Sequence, residues 1–236
     1  NWLSSDTVTG VERVGPTLYI LAGEDLHSYN TTNGVFSTTY ALATLGLANL
    51  GASLTVWPAS GGASPAYDAL LVDDGSGNLI HLSPNQSPFI EGELLLASAP
   101  ATDEMTGLVE VDNVLYIGSA DDSMLLMRYD VSNSVWLTPW TVTDNVLGVV
   151  AAPTSQGTST LLLTYEESPV VEEMDTSGNS LQTYDGTNGC YPSTANILST
   201  ATNVDHLVLS LDSGVFVHFD RATGACTSYD TTNGLP

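Results

Sequence analysis

The stretch that decides the fold is MTGLVEVDNVLYIGSADDSMLLMRYDVSNSVWLTPW, residues 105–140. It contains four short runs of aliphatic, β-branched and aromatic residues, separated by turns rich in Gly, Asn, Asp and Ser. These runs predict four β-strands, over Thr106–Val111, Val114–Ser119, Met124–Asp130 and Val135–Trp140. Because such short connections join antiparallel neighbours, the stretch predicts one four-stranded antiparallel sheet.

The same pattern recurs along the chain. The third apolar run of each copy ends at a polar marker residue, and the five markers are Asn30, Ser83, Asp130, Asp175 and Asp220. The spacings between them are 53, 47, 45 and 45 residues. Four strands in about 45 residues are typical of a β-propeller blade. We therefore predict an all-β fold, a β-propeller of about five four-stranded antiparallel blades, and the same period also fits a segment of a longer blade array.

The repeats account for almost the whole chain. They cover roughly residues 5–40, 41–95, 103–140, 144–185 and 195–236, which predicts a single β-propeller domain over residues 1–236. The second repeat is the longest, and its extra residues form a loop rich in Pro, Gly and Ser beside Trp57. Insertions in repeat folds lie in loops on one face, which is often the binding face. Separately, tryptophan rings can form a platform that stacks on sugars or binds proteins, so Trp57, Trp136 and Trp140 are binding-face candidates, and packing between blades is the alternative for them.

Charge excludes several kinds of partner. The 236 residues include 3 Lys and Arg, all of them Arg, against 27 Asp and Glu, which makes the formal net charge −24. Nucleic acids and anionic lipids are bound through Lys and Arg, so we expect neither as a partner. There is no run of about 20 apolar residues, so we expect no membrane insertion. Such an acidic surface suits a marine or halophilic protein, because salt screens like-charge repulsion.

Several features favour an extracellular or cell-surface location. Asn30 and Asn85 each begin an Asn-x-Ser/Thr sequon and are candidate glycosylation sites. Cys190 and Cys226 are the two cysteines, and they are a candidate disulfide in an oxidising compartment or else two separate thiols. The first residues resemble no signal peptide, which is also expected of a mature or excised chain.

The sequence offers little for catalysis. Residues 74–78 (DGSGN) form a turn between two strands, unlike the strand-to-helix elbow of a serine hydrolase. Glycoside hydrolysis needs two carboxyl groups at a suitable separation, and the first strands of the repeats supply Glu12 and Glu110. Aligning the repeats places these two side chains on opposite faces, because side chains alternate along a strand. We therefore predict no catalytic residues and no enzyme.

Metal-binding residues are few and scattered. His27, His81 and His218 lie in the third strands of three different repeats, so we expect no shared metal site among them. Oxygen-rich turns would suit calcium, with solvated turn acids as the alternative interpretation. The weak calcium candidates are Asp73, Asp74, Asp121 and Asp122. Glu172 and Glu173 are adjacent in one strand, so their side chains should face opposite ways.

The repeat resembles a known family. Residues 115–118 (LYIG), 128–130 (RYD) and Trp136 are similar to the LYIGT…GLxRYDxxTGxW repeat of two-component sensor ectodomain propellers and related prokaryotic surface proteins. Residues 233–236 (NGLP) resemble the joint between blades in that family. The resemblance implies a propeller outside the cytoplasm that binds or displays a partner. It implies no catalytic residue, because the motif consists of strand apolar residues, turn glycines and a turn Asp.

These observations lead to one functional prediction and two alternatives. We expect a non-catalytic extracellular β-propeller that acts as a surface, adhesion or filament component through contacts with other surface proteins or with itself. A carbohydrate-binding, lectin-like propeller is the first alternative, and glycans would then be its partners. A glycoside hydrolase or lyase is the second.

Overall fold

A computed structural model describes the chain at residues 8–22, 25–41, 54–57, 69–73, 79–82, 90–94, 105–119, 124–133, 135–166, 168–186, 189–230 and 232. The chain divides into two compact units, residues 1–117 with 127–138 and residues 118–126 with 139–236. The described regular structure consists of β-strands, numbered β1 to β20 in chain order. They pair into four-stranded sheets, which we call sheets 1 to 5.

Sheets 1 and 2 belong to the first unit, and sheet 3 contributes residues to both. Their strands are β1 (Val8–Val14), β2 (Thr17–Ala22), β3 (Asp25–Asn30) and β4 (Val35–Ala41) in sheet 1; β5 (Leu54–Trp57), β6 (Ala69–Asp73), β7 (Leu79–Leu82) and β8 (Ile90–Leu94) in sheet 2; and β9 (Met105–Val111), β10 (Val114–Ser119), β11 (Leu125–Asp130) and β12 (Val135–Thr141) in sheet 3.

Sheets 4 and 5 belong to the second unit. Their strands are β13 (Val146–Pro153), β14 (Ser159–Tyr165), β15 (Val171–Met174) and β16 (Ser180–Tyr184) in sheet 4, and β17 (Ile197–Thr202), β18 (His206–Leu211), β19 (Phe216–Asp220) and β20 (Cys226–Tyr229) in sheet 5.

Each sheet follows the order of its strands in the sequence. The paired strands with described registers are antiparallel, as in the hairpin of β18 and β19, where Leu207 faces Phe219. The predicted strands of sheet 3 agree with the observed ones to within one residue. The third of them begins at Leu125 and not at the predicted Met124, because Met124 has a φ of 50°, outside the extended region.

The prediction of an all-β fold of small antiparallel sheets in a propeller-like arrangement is confirmed. The described strands form five four-stranded sheets. Their propeller-like arrangement is that of four blades and not of the predicted five. A repeat period identifies a sheet, but a blade also requires packing on its neighbours, which the period does not encode. The predicted single domain stays a prediction.

The first strands share an irregularity. The register of the first and second strands shifts between Val8 and Gly10 in sheet 1, between Val146 and Gly148 in sheet 4, and between Ile197 and Ser199 in sheet 5. Such β-bulges bend a strand and increase its twist. In the first unit a Cβ added to Gly10 would lie 2.8 Å from the Cβ of Leu54 in β5, so only glycine allows the first strands of sheets 1 and 2 to approach this closely.

The polar marker of the repeat caps the turn between the third and fourth strands. Oδ1 of Asp175 accepts backbone N–H bonds from Ser177 at 2.9 Å and from Asn179 at 2.8 Å. Asn30, Asp130 and Asp220 accept equivalent bonds in their own turns. Side-chain hydrogen bonds from Asn133, Asn179 and Thr223, together with these backbone bonds, lower the pKa of the three carboxyl groups. The repeat therefore carries Asn or Asp here because short polar side chains satisfy the turn backbone.

Side chains alternate between two faces of each sheet. We call the face that carries Leu161 of sheet 4 and Leu207 of sheet 5 the leading face, and the opposite face the trailing face. In the second unit, the trailing face of sheet 4 packs against the leading face of sheet 5 in one apolar cluster. Its fully buried members include Leu162, Val171 and Tyr184 of sheet 4 and Leu207, Leu209, Val217 and Phe219 of sheet 5.

Candidate functional site

The two cysteines are joined. Cys190 and Cys226 form a disulfide with a Cα–Cα distance of 6.0 Å. Cys190 follows sheet 4 in the chain and Cys226 begins β20, so the bond ties the end of sheet 4 to the outer strand of sheet 5 within the second unit. Both cysteines pack against the apolar cluster of that unit.

Two of the candidate tryptophans, Trp136 and Trp140, have described side-chain contacts. Trp136 packs edge-on against Tyr129 with ring centroids 5.3 Å apart and contacts the apolar core of sheet 3. The indole of Trp140 covers Gly178, where an added Cβ would lie 2.8 Å from the ring. Both rings therefore make packing contacts, and their part in a binding face stays a prediction. Trp57 lies in β5, and its side chain is outside the described part.

The remaining predicted site residues are placed only in part. Oδ1 of Asn30 accepts the Thr32 N–H at 2.9 Å in an exposed turn, and Asn85 lies outside the described residues. Among the calcium candidates, Asp73 ends β6 with an undescribed side chain, and Asp74, Asp121 and Asp122 are outside the described residues. Within the part of the chain that is described, no group of three or more His, Cys, Asp or Glu side chains is arranged to hold a metal ion.

A buried ion pair joins sheets 4 and 5. Nη2 of Arg221, directly after β19, donates to Oε1 of Glu173 in β15 at 2.5 Å, and both side chains are almost fully buried. Thr160 and Tyr184 also donate to the Glu173 carboxylate, each at 2.6 Å. Nη1 of Arg221 donates to the carbonyls of Pro153 at 2.7 Å and Asn203 at 2.6 Å. We call these residues the Arg221 clamp, because one guanidinium binds groups of both sheets.

The carboxylate of the clamp is held in its charged form. Burial alone would raise the pKa of Glu173, but the hydrogen bonds from Arg221, Thr160 and Tyr184 outweigh burial, so the pKa is lowered. Glu173 lies opposite Gln182 on the trailing face, whereas Glu172 accepts a bond from Tyr165 on the leading face. The prediction that Glu172 and Glu173 face opposite ways is therefore confirmed.

A cavity of about 340 Å³ lies beside the clamp in the second unit. Its lining includes the side chains of Ser155, Gln182, Asp205 and Arg221, with apolar surface from Leu181 and Val204. Nε of Arg221 is buried and has no hydrogen-bond acceptor among the described atoms. The cavity thus combines hydroxyl, amide, carboxylate and guanidinium groups, which can bind a small ligand with several hydroxyl groups.

The trailing face of sheet 5 is open, in contrast to its equivalents. The corresponding positions in the second strands of sheets 1, 3 and 4 are Tyr19, Tyr116 and Leu162, and each is at most 2% exposed. In sheet 5 the equivalent Val208 is half-buried, and its face neighbours Phe216 and Tyr229 are 42% and 38% exposed. Phe216 and Tyr229 face each other across β19 and β20. This apolar surface lacks a covering sheet among the described residues.

The same face carries two histidines that contact each other. Nε2 of His218 lies 3.0 Å from Nδ1 of His206, and the ring centroids are 4.7 Å apart. The sequence predicts His218 in a third strand, and the contact with His206 was not predicted. The turn at residues 212–214 (DSG) would have indicated this contact. A hairpin centred on that turn pairs Val208 with His218 and places His206 diagonally beside His218.

Comparison with known proteins supports the fold and no particular family. No protein-family model matches the chain, and no curated protein matches it. Among solved structures, it is similar to the computationally designed Ika8 protein, with a TM-score of 0.59 and 13% identity over 97% of this chain. The chain spans 63% of the length of that structure. At this identity the likeness concerns the fold alone. No helix in the described part is long and apolar enough to span a membrane.

Proposed function

We propose that this protein is a non-catalytic extracellular β-propeller that acts as an assembly component by binding further copies of itself. The observation that carries the proposal is the open trailing face of sheet 5, where Phe216 and Tyr229 expose aromatic surface beside Val208, whose equivalents in sheets 1, 3 and 4 are buried. Contiguous exposed apolar surface marks interaction sites in soluble proteins. Tyr229 lies in β20, the outermost strand in the order of sheet 5.

The natural partner of a trailing face is a leading face, as the packing of sheet 4 on sheet 5 illustrates. Sheet 1 offers a leading face that is also partly open, with Val8 and Val11 on β1 and Phe36 on β4 among its exposed apolar residues. We therefore infer a head-to-tail contact in which the trailing face of sheet 5 in one copy meets the leading face of sheet 1 in the next. Contacts between two different surfaces generate rings or filaments.

Other features support the extracellular setting. Disulfides persist in oxidising compartments, and the Cys190–Cys226 bond joins the segment between sheets 4 and 5 to β20. A net charge of −24 suits salty surroundings, where repulsion between copies is screened. In this proposal the sheets act as blades, either of one propeller or of a longer array, and surface proteins with the same repeat are further partners.

The experiment is a measurement of mass against concentration by sedimentation at molar salt. Wild type is expected to form species larger than 24.7 kDa, and the Phe216→Lys variant is expected to stay monomeric. Thr183→Lys is the matched control, because Thr183 is an exposed strand residue of the same unit away from the trailing face of sheet 5. Equal masses for Phe216→Lys and Thr183→Lys, or a monomeric wild type at all concentrations, would overturn the proposal.

Carbohydrate binding is the second candidate, and the cavity beside the Arg221 clamp favours it. Its volume is enough for about one or two sugar rings, and its carboxylate, amide and hydroxyl groups can bind sugar hydroxyls. A glycan array is the test, with Gln182→Ala as the variant that should lose any signal. Identical signals from wild type and Gln182→Ala would place binding elsewhere.

A further inference from the structure

We propose that His206 and His218 form a two-histidine site for a divalent transition-metal ion such as Zn²⁺. The two imidazoles come from adjacent antiparallel strands, β18 and β19, where Val208 faces His218 and His206 faces Asp220. Both rings lie on the open trailing face of sheet 5, and His206 is exposed to solvent. A metal ion can therefore reach both side chains without any opening of the fold.

The spacing of the nitrogens suits a shared metal. Nε2 of His218 and Nδ1 of His206 are 3.0 Å apart. Two zinc–nitrogen bonds of about 2.0–2.1 Å at a tetrahedral angle place the two nitrogens about 3.3–3.4 Å apart. The rings, which are tilted by 50° to each other, thus need only small rotations to direct both lone pairs at one ion. Binding replaces the contact between the two imidazoles by two metal–nitrogen bonds.

The strands hold the two ligands in place. β18 pairs with β17 and β19, and β19 pairs with β18 and β20, so neither histidine lies on an edge strand. Ligands on rigid, doubly paired strands are pre-organised and lose little freedom on binding. The net charge of −24 also raises the local concentration of cations around the protein.

The donor set selects the kind of metal. Imidazole nitrogens favour Zn²⁺, Cu²⁺ and Ni²⁺, whereas Ca²⁺ and Mg²⁺ require oxygen ligands. Oδ1 of Asp220, the nearest carboxylate in register, is bound to the N–H and hydroxyl of Thr223 at 2.8 Å each. The protein therefore supplies two nitrogens, and water fills the remaining positions. This differs from the weak calcium sites expected at the acidic turns.

The test is a calorimetric titration of the folded, disulfide-bonded protein with ZnCl₂, at dilutions where it is monomeric. This inference does not depend on the head-to-tail contact. Removing a group that only hydrogen-bonds to a metal ligand already weakens metal affinity about 10–100-fold. His206→Gln and His218→Gln remove a ligand itself, so each should weaken zinc binding at least tenfold. His81→Gln is the control: it removes another of the four histidines in the sequence, one that lies in β7 of sheet 2, and it should bind zinc like wild type.

Copper provides a readout that counts the ligands. The electron paramagnetic resonance spectrum of the protein with one equivalent of Cu²⁺ should contain hyperfine structure from two nitrogens in wild type and from one in either variant. Near-ultraviolet circular dichroism checks that each variant is folded. Zinc affinity unchanged in both His variants, or a copper spectrum with oxygen ligands alone, would overturn the proposal and assign metal uptake to the acidic surface.

Discussion

Replacing Arg221 with leucine should remove much of the stability of the second unit. The guanidinium is nearly buried, and its loss leaves the Glu173 carboxylate in the interior with two hydroxyl donors and no counter-charge. It also leaves the carbonyls of Pro153 and Asn203 without their donor. Breaking a buried ion pair from one side costs about 3–5 kcal/mol, and the two carbonyls place Arg221→Leu at the upper end of this range.

The assay is urea unfolding at constant molar salt, followed by tryptophan fluorescence. With a slope of about 2 kcal/mol per molar urea, a loss of about 5 kcal/mol lowers the midpoint by about 2.5 M. Arg13→Leu is the matched control, since Arg13 is exposed and its described contact is a bond to the carbonyl of Gly15. That exposed change should stay within about 0.5 kcal/mol.

A double variant separates the loss of the ion pair from the cost of leaving the Glu173 carboxylate buried without a counter-charge. Arg221→Leu with Glu173→Leu removes both charges, and exchanging a buried pair for apolar groups is often close to neutral. The double variant should therefore be more stable than Arg221→Leu alone. The reasoning is refuted if Arg221→Leu costs no more than Arg13→Leu, or if the double variant is less stable than the single one.

Three further predictions concern charge, covalent structure and pH. The melting temperature should rise from low to molar salt because salt screens the net charge of −24, and a flat curve would contradict the halophilic interpretation. Reduction of the Cys190–Cys226 disulfide, which closes a loop with a sequence separation of 36, should cost about 4 kcal/mol of unfolding free energy, and a Cys190→Ala variant should show the same loss without reductant. The pKa of Glu173 is lower in the folded protein than its unfolded value of about 4.3, so its stabilising effect is present above that pH and is lost as pH falls through the folded pKa. The stability difference between wild type and Glu173→Gln should thus shrink as pH falls from 7 to below about 4, and a difference independent of pH would show that Glu173 is not ionised in the folded protein.

The repeating part of the architecture could be predicted from the sequence. The strands of sheet 3 follow from apolar runs between turn residues, because local preference and burial agree there. The caps at Asp130, Asp175 and Asp220 follow from a short acidic residue at a constant place in each copy. The difference at Met124 arises from a left-handed backbone that no propensity for this residue indicates.

Contacts between sheets were harder to predict. Arg221 and Glu173 are 48 residues apart, and neither repeats in the other copies, so periodicity gives no signal for the clamp. Trp136 appeared suited to a binding face, but its contact with Tyr129 depends on the packing of sheet 3. The His206–His218 contact was accessible in principle, because the position of one hairpin turn determines its register.

The Arg221 clamp also affects the outside of the molecule. Of the three positive side chains in the sequence, this one is almost fully buried, so its charge faces a single carboxylate rather than the solvent. The other two arginines are far outnumbered by Asp and Glu, so the surface of the molecule is strongly negative. Molecules with this charge repel one another at low salt concentration and can approach at high salt concentration, because salt screens the repulsion. We therefore expect salt concentration to control any association between copies, and lowering the salt at constant protein concentration should separate them.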